Sequence, residues 1–254
     1  MRAIVHAPGP ALARCEVTFV ARQPIDVGRA TAQHRDYCAL LAACGVEVES
    51  VAVSPDHADA VFVEDTAVVL DECAVLGAMG VASRRDEVAA IAPVLRRFRS
   101  VHAVNAPAKL EGGDVLRIGR TLYVGRSART NEHGVKALAA IATPLGYRVV
   151  PVDVRGCLHL KTACTAAADD LLLANPAWLD LAPFAGLRVV AVDAAEPFGA
   201  NLLRLDDTLL ASASFPRTNA QLRALGLPLH TVAIDELEKA EAGMTCMSLL
   251  LRGR

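Results

Sequence analysis

One pattern constrains this chain more than any other. An apolar hairpin, a helix and a further apolar strand follow one another in the same order four times. VFVEDTAVVLDECAVLGAM reads as strand, Asp-containing turn, strand. SRRDEVAAIAPVLRRF is helical, with apolar residues at 88, 91, 94, 95 and 98, and SVHAVNAP is a short strand. LEGGDVLRIGRTLYVGRSA then turns at Gly119-Arg120. The helix NEHGVKALAAIATPLG has Thr130 or Asn131 as its cap and Gly146 as its stop, and the strand RVVPVDV follows. LHLKTACTAAADDLLLAN turns around Ala168-Asp169-Asp170 and leads through a short helical region to LRVVAVDA. NLLRLDDTLLASAS turns at Asp206-Asp207, before the helix TNAQLRALG and the strand PLHTVAI.

The units begin near residues 61, 110, 158 and 199, a period in the range of stacked or propeller-like repeats. Two ends remain. AIVHAP, the helix ATAQHRDYCALLAACG and the strand VEVESVAV lie at the front, and AGMTCMSLLL lies at the back. Joined, they make a fifth unit in which the last strand supplies what the first unit lacks. Such closure removes an exposed sheet edge. The expectation is an α/β fold, a five-bladed propeller of strand-strand-helix-strand units, with residues 1–254 forming one domain. An open sheet of unrelated strand-helix pairs is the competing reading.

Composition narrows the function. The chain has 254 residues, 53% of them hydrophobic, enough for a sizeable core, and a net charge of -2. A basic excess that would suit nucleic acid is absent, as is an apolar run of about 18 residues that would suit a membrane. His6, two prolines and Arg14 interrupt the N-terminus where a signal peptide needs an apolar stretch. Seven cysteines, an odd number without C-x-x-C spacing, read as reduced thiols in a cytoplasmic protein, a monomer or homodimer.

Polar residues at corresponding starts of the units are the candidates for chemistry: Asp59, Glu64 and Asp65, then Glu111 and Asp114, then His159 and Lys161, with Cys246 at the closing strand. Taken singly, His159 suits a core hydrogen bond, Cys246 a small buried hydrophobe, Glu111 the start of a hairpin, and Asp65 a hairpin turn. Taken together, a thiol, an imidazole and a carboxylate make a nucleophile, its proton partner and the orienting acceptor. Asp59, Glu64 and Asp65 bracket the apolar Val61-Phe62-Val63, and buried carboxylates want a cation such as guanidinium. Arg84 and Arg129 stand just before helices, where the dipole gives them nothing, so a ligand carboxylate is a natural partner.

DAVFVED, SRRDE, LEGGDVLRIG, GRSARTN, LHLKT and GMTCMSL, in this order across nearly the whole chain, resemble the dimethylarginine dimethylaminohydrolases, guanidino-modifying enzymes of the pentein fold. The resemblance implies Cys246 as nucleophile, His159 as general acid/base and Glu111 as the residue orienting His159. It implies that Glu64 and Asp65 meet the guanidinium, that Asp59 helps hold the amino-acid end, and that Arg84 and Arg129 clamp the α-carboxylate. Phe62 joins the substrate-binding residues, and the backbone carbonyls of Val17 and Ala240 take the α-amine. The implied reaction is hydrolysis of N-omega-methylated arginine to citrulline without metal or organic cofactor. The ligand is a small guanidino amino acid rather than nucleic acid or membrane.

The chain departs from the family pattern at Ala60, often Ser, at Glu16-Val17, often Gly-Leu, and at Gly80-Val81-Ala82-Ser83, often Gly-Ala-Glu-Ser. These positions bear on substrate preference. Arginine deiminases resemble the chain in chemistry but carry an acidic residue where Lys161 stands. Citrulline hydrolysis by a close relative is a further alternative. A non-catalytic pentein that binds a macromolecule is the remote one.

Overall fold

The apolar runs close into five three-stranded sheets in a computed structural model that describes residues 1–52 and 56–253. Four sheets are continuous in sequence. The first holds Ala67–Val69, Cys73–Leu76 and Ser100–Ala103, the second Val115–Ile118, Thr121–Arg126 and Arg148–Asp153. The third holds Cys164–Ala166, Leu171–Ala174 and Arg188–Ala191, the fourth Leu203–Leu205, Thr208–Ser212 and Leu229–Val232. In each, the first two strands are antiparallel and the third joins parallel, which requires a crossover. Helices Arg85–Arg96, Glu132–Ala142 and Pro216–Ala224 supply three of the crossovers. The third sheet makes do with the short 3-10 turn Ala182–Phe184.

The fifth sheet is assembled from both ends. Arg2–His6 pairs parallel with Glu47–Val51 across helix Val27–Ala43, and antiparallel with Leu249–Leu251, Arg2 facing Leu251 and Ile4 facing Leu249. The ends therefore form the expected fifth unit. Val53, the last residue of VEVESVAV, lies outside the described residues.

Five apolar clusters show that the sheets form a ring. Val75 and Leu122 share a cluster between the first and second sheets, and Tyr123 and Leu172 one between the second and third. Leu173 and Leu209 belong to the next cluster, Leu210 and Val5 to the one after, and Ile4 and Ala74 to the last. Each cluster joins two consecutive sheets and the last returns to the first, so the fold is a five-bladed α/β propeller. The middle strands Cys73–Leu76 and Leu171–Ala174 are buried throughout, as strands covered on both faces must be.

Turn chemistry follows the sequence. Asn131 caps its helix by accepting from the Gly134 N–H, and Gly146 ends the helical run with φ of 86°. The hairpin starts depart from the strand expectation. Val63–Thr66, Gly112–Asp114 and Leu160–Ala163 are single helical turns that precede the innermost strands, and the first hairpin reverses between Val69 and Cys73 rather than at Asp65. A strand sends successive side chains to opposite faces. The tight turn instead buries Val63, Glu64, Asp65 and Thr66 in succession. Residues 244–247 also form a turn ahead of their inner strand.

Candidate active site

The turns at one end of the ring bring together residues far apart in sequence. His159 Nε2 lies 2.8 Å from Glu111 Oε2, and both side chains are buried. The other oxygen of Glu111 accepts the Gly80 N–H at 2.8 Å and lies 3.5 Å from Arg129. On the far side of the imidazole, Nδ1 faces Asp65 Oδ1 at 3.9 Å. Asp114 secures the adjacent turn: its carboxylate accepts from the Leu160 N–H at 2.9 Å and from the Ser127 hydroxyl at 2.6 Å. Gly113 is pressed against the ring, where a Cβ would come within 2.7 Å of both His159 Nδ1 and Asp65 Oδ1.

Electrostatics follow from this packing. Burial pulls the His159 pKa down, but Asp65, the Glu111 hydrogen bond and Asp114 outweigh it, and the pKa is raised to about 9. Burial pushes Asp65 up, while the facing His159 and Arg84 more than reverse it, leaving Asp65 below the usual carboxylate range. The Cys246 thiol is pushed up to about 12, first by burial and then by Glu64 and Asp65. At neutral pH the site therefore holds a protonated imidazole, a carboxylate and a neutral thiol.

Arg84 takes a different place from the one expected of a clamp on a ligand carboxylate. Its guanidinium is buried and turned inward, 2.6 Å from Asp65 Oδ2 and 2.9 Å from Glu87 Oε2, and it donates to the Phe62 carbonyl at 3.0 Å. The reason is charge: Asp65 and Glu87 would otherwise be buried without a cation. Glu64 is similarly occupied, with one oxygen on Lys161 and the other accepting from the Thr245 hydroxyl at 2.6 Å. The Glu64 N–H also donates to the Cys246 carbonyl at 3.1 Å. Asp59 accepts the Glu16 N–H on both oxygens at 3.2 Å, fixing the chain next to Val17. Phe62 and Ala240 are buried in the apolar cluster that contains Cys246, and Val17 packs against that cluster.

Three donors, Asp65, Glu111 and His159, lie within 4.8 Å of one another and are the group among the described residues that could hold a metal ion. Arg84 and Arg129 already supply positive charge to those carboxylates. A separate cavity of about 370 Å³ is lined by Glu64, Lys161 and Thr245 together with Arg117 and Asp169 near hairpin turns and Arg252 after the last strand. The Glu64–Lys161 pair lines this cavity, while His159, Glu111 and Cys246 are not among its lining residues.

The family model described as N,N dimethylarginine dimethylhydrolase, eukaryotic, matches residues 21–175, more than half of the chain. The N(G),N(G)-dimethylarginine dimethylaminohydrolase of Streptomyces coelicolor is 42% identical over 253 residues, covering 99% of this chain and 97% of its own. The chain belongs to the dimethylarginine dimethylaminohydrolase family. The Pseudomonas aeruginosa member is 30% identical over 88% of this chain and 89% of its own. A solved structure of the dimethylarginine dimethylaminohydrolase from that organism, a cysteine-to-serine mutant complexed with citrulline, superposes with a TM-score of 0.93 at 28% identity and covers 98% of both chains. As a dimethylarginine dimethylaminohydrolase the chain is a hydrolase acting on guanidino C–N bonds.

Sequence reasoning gave no place in the site to Asn201, Thr245, Glu87 or Gly113. Asn201 had a legible signal, since it stands just ahead of its inner strand as Glu111 and His159 do. Glu87 had a local one: it stands three residues after Arg84 at the start of helix Arg85–Arg96, the spacing at which helix side chains meet.

Proposed function

We propose that the chain hydrolyses asymmetric dimethylarginine and monomethylarginine to citrulline and dimethylamine or methylamine, through a covalent intermediate on Cys246. The observation that supports this reading best is the buried His159 held between Glu111 at 2.8 Å and Asp65 at 3.9 Å, a pairing that keeps a proton on the imidazole at neutral pH.

The cationic guanidinium binds beside Asp65 and offsets the negative field that keeps the Cys246 thiol neutral. The thiol proton leaves to water. The thiolate then forms a bond to the guanidinium carbon, which becomes a neutral tetrahedral centre. His159 donates its proton to the methylated nitrogen, the C–N bond breaks, and the amine departs, leaving a positively charged thiouronium on Cys246. Water adds to that carbon as His159 takes a proton from it. The C–S bond then breaks, returning the thiolate, and the protonated product loses its proton to water as citrulline. Glu111 holds the imidazole in register through both steps. Arg84 keeps Asp65 ionised and in place, and Arg129 takes the α-carboxylate. Asp59 with the carbonyls of Val17 and Ala240 takes the α-amine, and Phe62 packs against the bound chain. Glu64 reaches the guanidinium side of the pocket only through its backbone and through Thr245 and Lys161.

The test is a substrate panel: purified protein with asymmetric dimethylarginine, monomethylarginine, arginine and citrulline, with citrulline and ornithine measured. Turnover of a methylated arginine to citrulline is the expected result. Turnover of arginine alone would refute the reading.

A further inference from the structure

The nucleophile sits in a turn that a side chain from another blade fills. Residues 243–246 close through the Cys246 N–H donating to the Gly243 carbonyl at 3.2 Å. The Gly243 N–H in turn points back at Cys246 Sγ, 3.3 Å away, and this hydrogen bond favours the thiolate. Behind the turn lies Asn201, buried, from the start of the fourth sheet. Its Oδ1 accepts the Thr245 N–H at 3.0 Å, and its Nδ2 donates to Thr245 Oγ1 at 3.2 Å. The Thr245 hydroxyl spends its single hydrogen on Glu64 at 2.6 Å, so toward Asn201 it can only accept, and the one amide supplies both the donor for Oγ1 and the acceptor for the N–H. The fit is tight. A Cβ on Gly243 would lie 2.2 Å from the Asn201 side-chain carbon and within 2.6 Å of its oxygen and nitrogen. The amide therefore occupies the space into which the turn would relax.

We propose that Asn201 is a positioning residue for the reaction: by clamping Thr245 on both its N–H and its hydroxyl, it holds the 243–246 turn so that the Gly243 N–H is aimed at the Cys246 sulfur, and so sets how readily the thiolate forms. This rests on Cys246 being the nucleophile, but its consequence is visible without turnover. Hydrogen bonds to a charged acceptor are the strong ones, so loss of the aimed N–H lowers the thiolate population by roughly tenfold or more.

The experiment measures the rate at which iodoacetamide alkylates Cys246, followed by peptide mass spectrometry from pH 7 to 10, beside kcat and KM for dimethylarginine. Asn201→Ala and Asn201→Asp should each slow alkylation at least tenfold at a given pH, lower kcat comparably, and leave KM within about threefold. Thr245→Val should do the same and Thr245→Ser should restore the wild-type profile, which keeps the test decisive if Asn201→Ala does not fold. Alkylation and kcat unchanged in folded Asn201→Ala, or equal profiles for Thr245→Val and Thr245→Ser, would overturn the proposal. Slowed alkylation in a protein that turns over no methylarginine would uphold it and count instead against the substrate assignment.

Discussion

Gly113→Ala tests whether the imidazole is held as tightly as the geometry says. The new Cβ would lie 2.7 Å from His159 Nδ1, 2.7 Å from Asp65 Oδ1 and 2.8 Å from His159 Cγ, whereas ordinary contact begins at 3.4 Å. The shortfall, 3.4 − 2.7, is 0.7 Å. Neither neighbour yields freely, because His159 is bound to Glu111 at 2.8 Å and Asp65 to Arg84 at 2.6 Å. Overpacking of this kind costs about 1–3 kcal/mol. For a chain of this length that lowers the melting temperature by roughly 2–12 °C. A displacement approaching 1 Å in a proton-transfer group lowers turnover on the order of 10- to 100-fold. The assay is citrulline release from dimethylarginine beside a thermal melt. Gly112→Ala is the comparator: its Cβ would meet the Glu64 backbone carbonyl at 2.0 Å, so it should lose the fold rather than turnover alone. A Gly113→Ala protein with kcat within threefold of wild type would refute the argument that Gly113 sets the position of His159.

Other outcomes follow from the same geometry. Cys246→Ser should abolish turnover with the melting curve preserved, checked by citrulline assay and circular dichroism. Arg84→Ala leaves Asp65 and Glu87 buried without their cation and should destabilise the protein by about 3–5 kcal/mol in urea unfolding. The His159 pKa, raised from 6.5 to about 9 in the folded state, stabilises the protein fully below pH 6.5, and that stabilisation is lost as pH rises through 9. Melting temperature should therefore fall across that window in the wild type, and fall less in His159→Gln. On the proposed mechanism, the rate of amine release should fall above pH 9 as His159 loses its proton.

The sequence and the tertiary structure divide the work at identifiable places. Asn131 as a cap, Gly146 as a stop and the Gly119-Arg120 and Asp206-Asp207 turns were legible because each is a local backbone requirement met by local side chains. The helical turns Val63–Thr66 and Leu160–Ala163 were not, because four residues of an apolar run carry no period that separates helix from strand. The resemblance pointed to Cys246, His159 and Glu111, and position in the repeat pointed to the same three.

What the sequence by itself determined is the ring: four units in one order, each with its hairpin and crossover encoded nearby, and two ends that complete a fifth because each holds the strands the other lacks. The partners of each charge were decided only in three dimensions. Arg84 stands before a helix in sequence like a surface residue awaiting a ligand, yet it is spent on Asp65, 19 residues away; Glu64 is spent on Lys161 and Thr245; and Asn201 reaches the Cys246 turn across 44 residues of chain. Buried charges and amides must find complements wherever packing puts them, and which complement is nearest depends on how the five turns converge, a relation no single stretch of sequence contains.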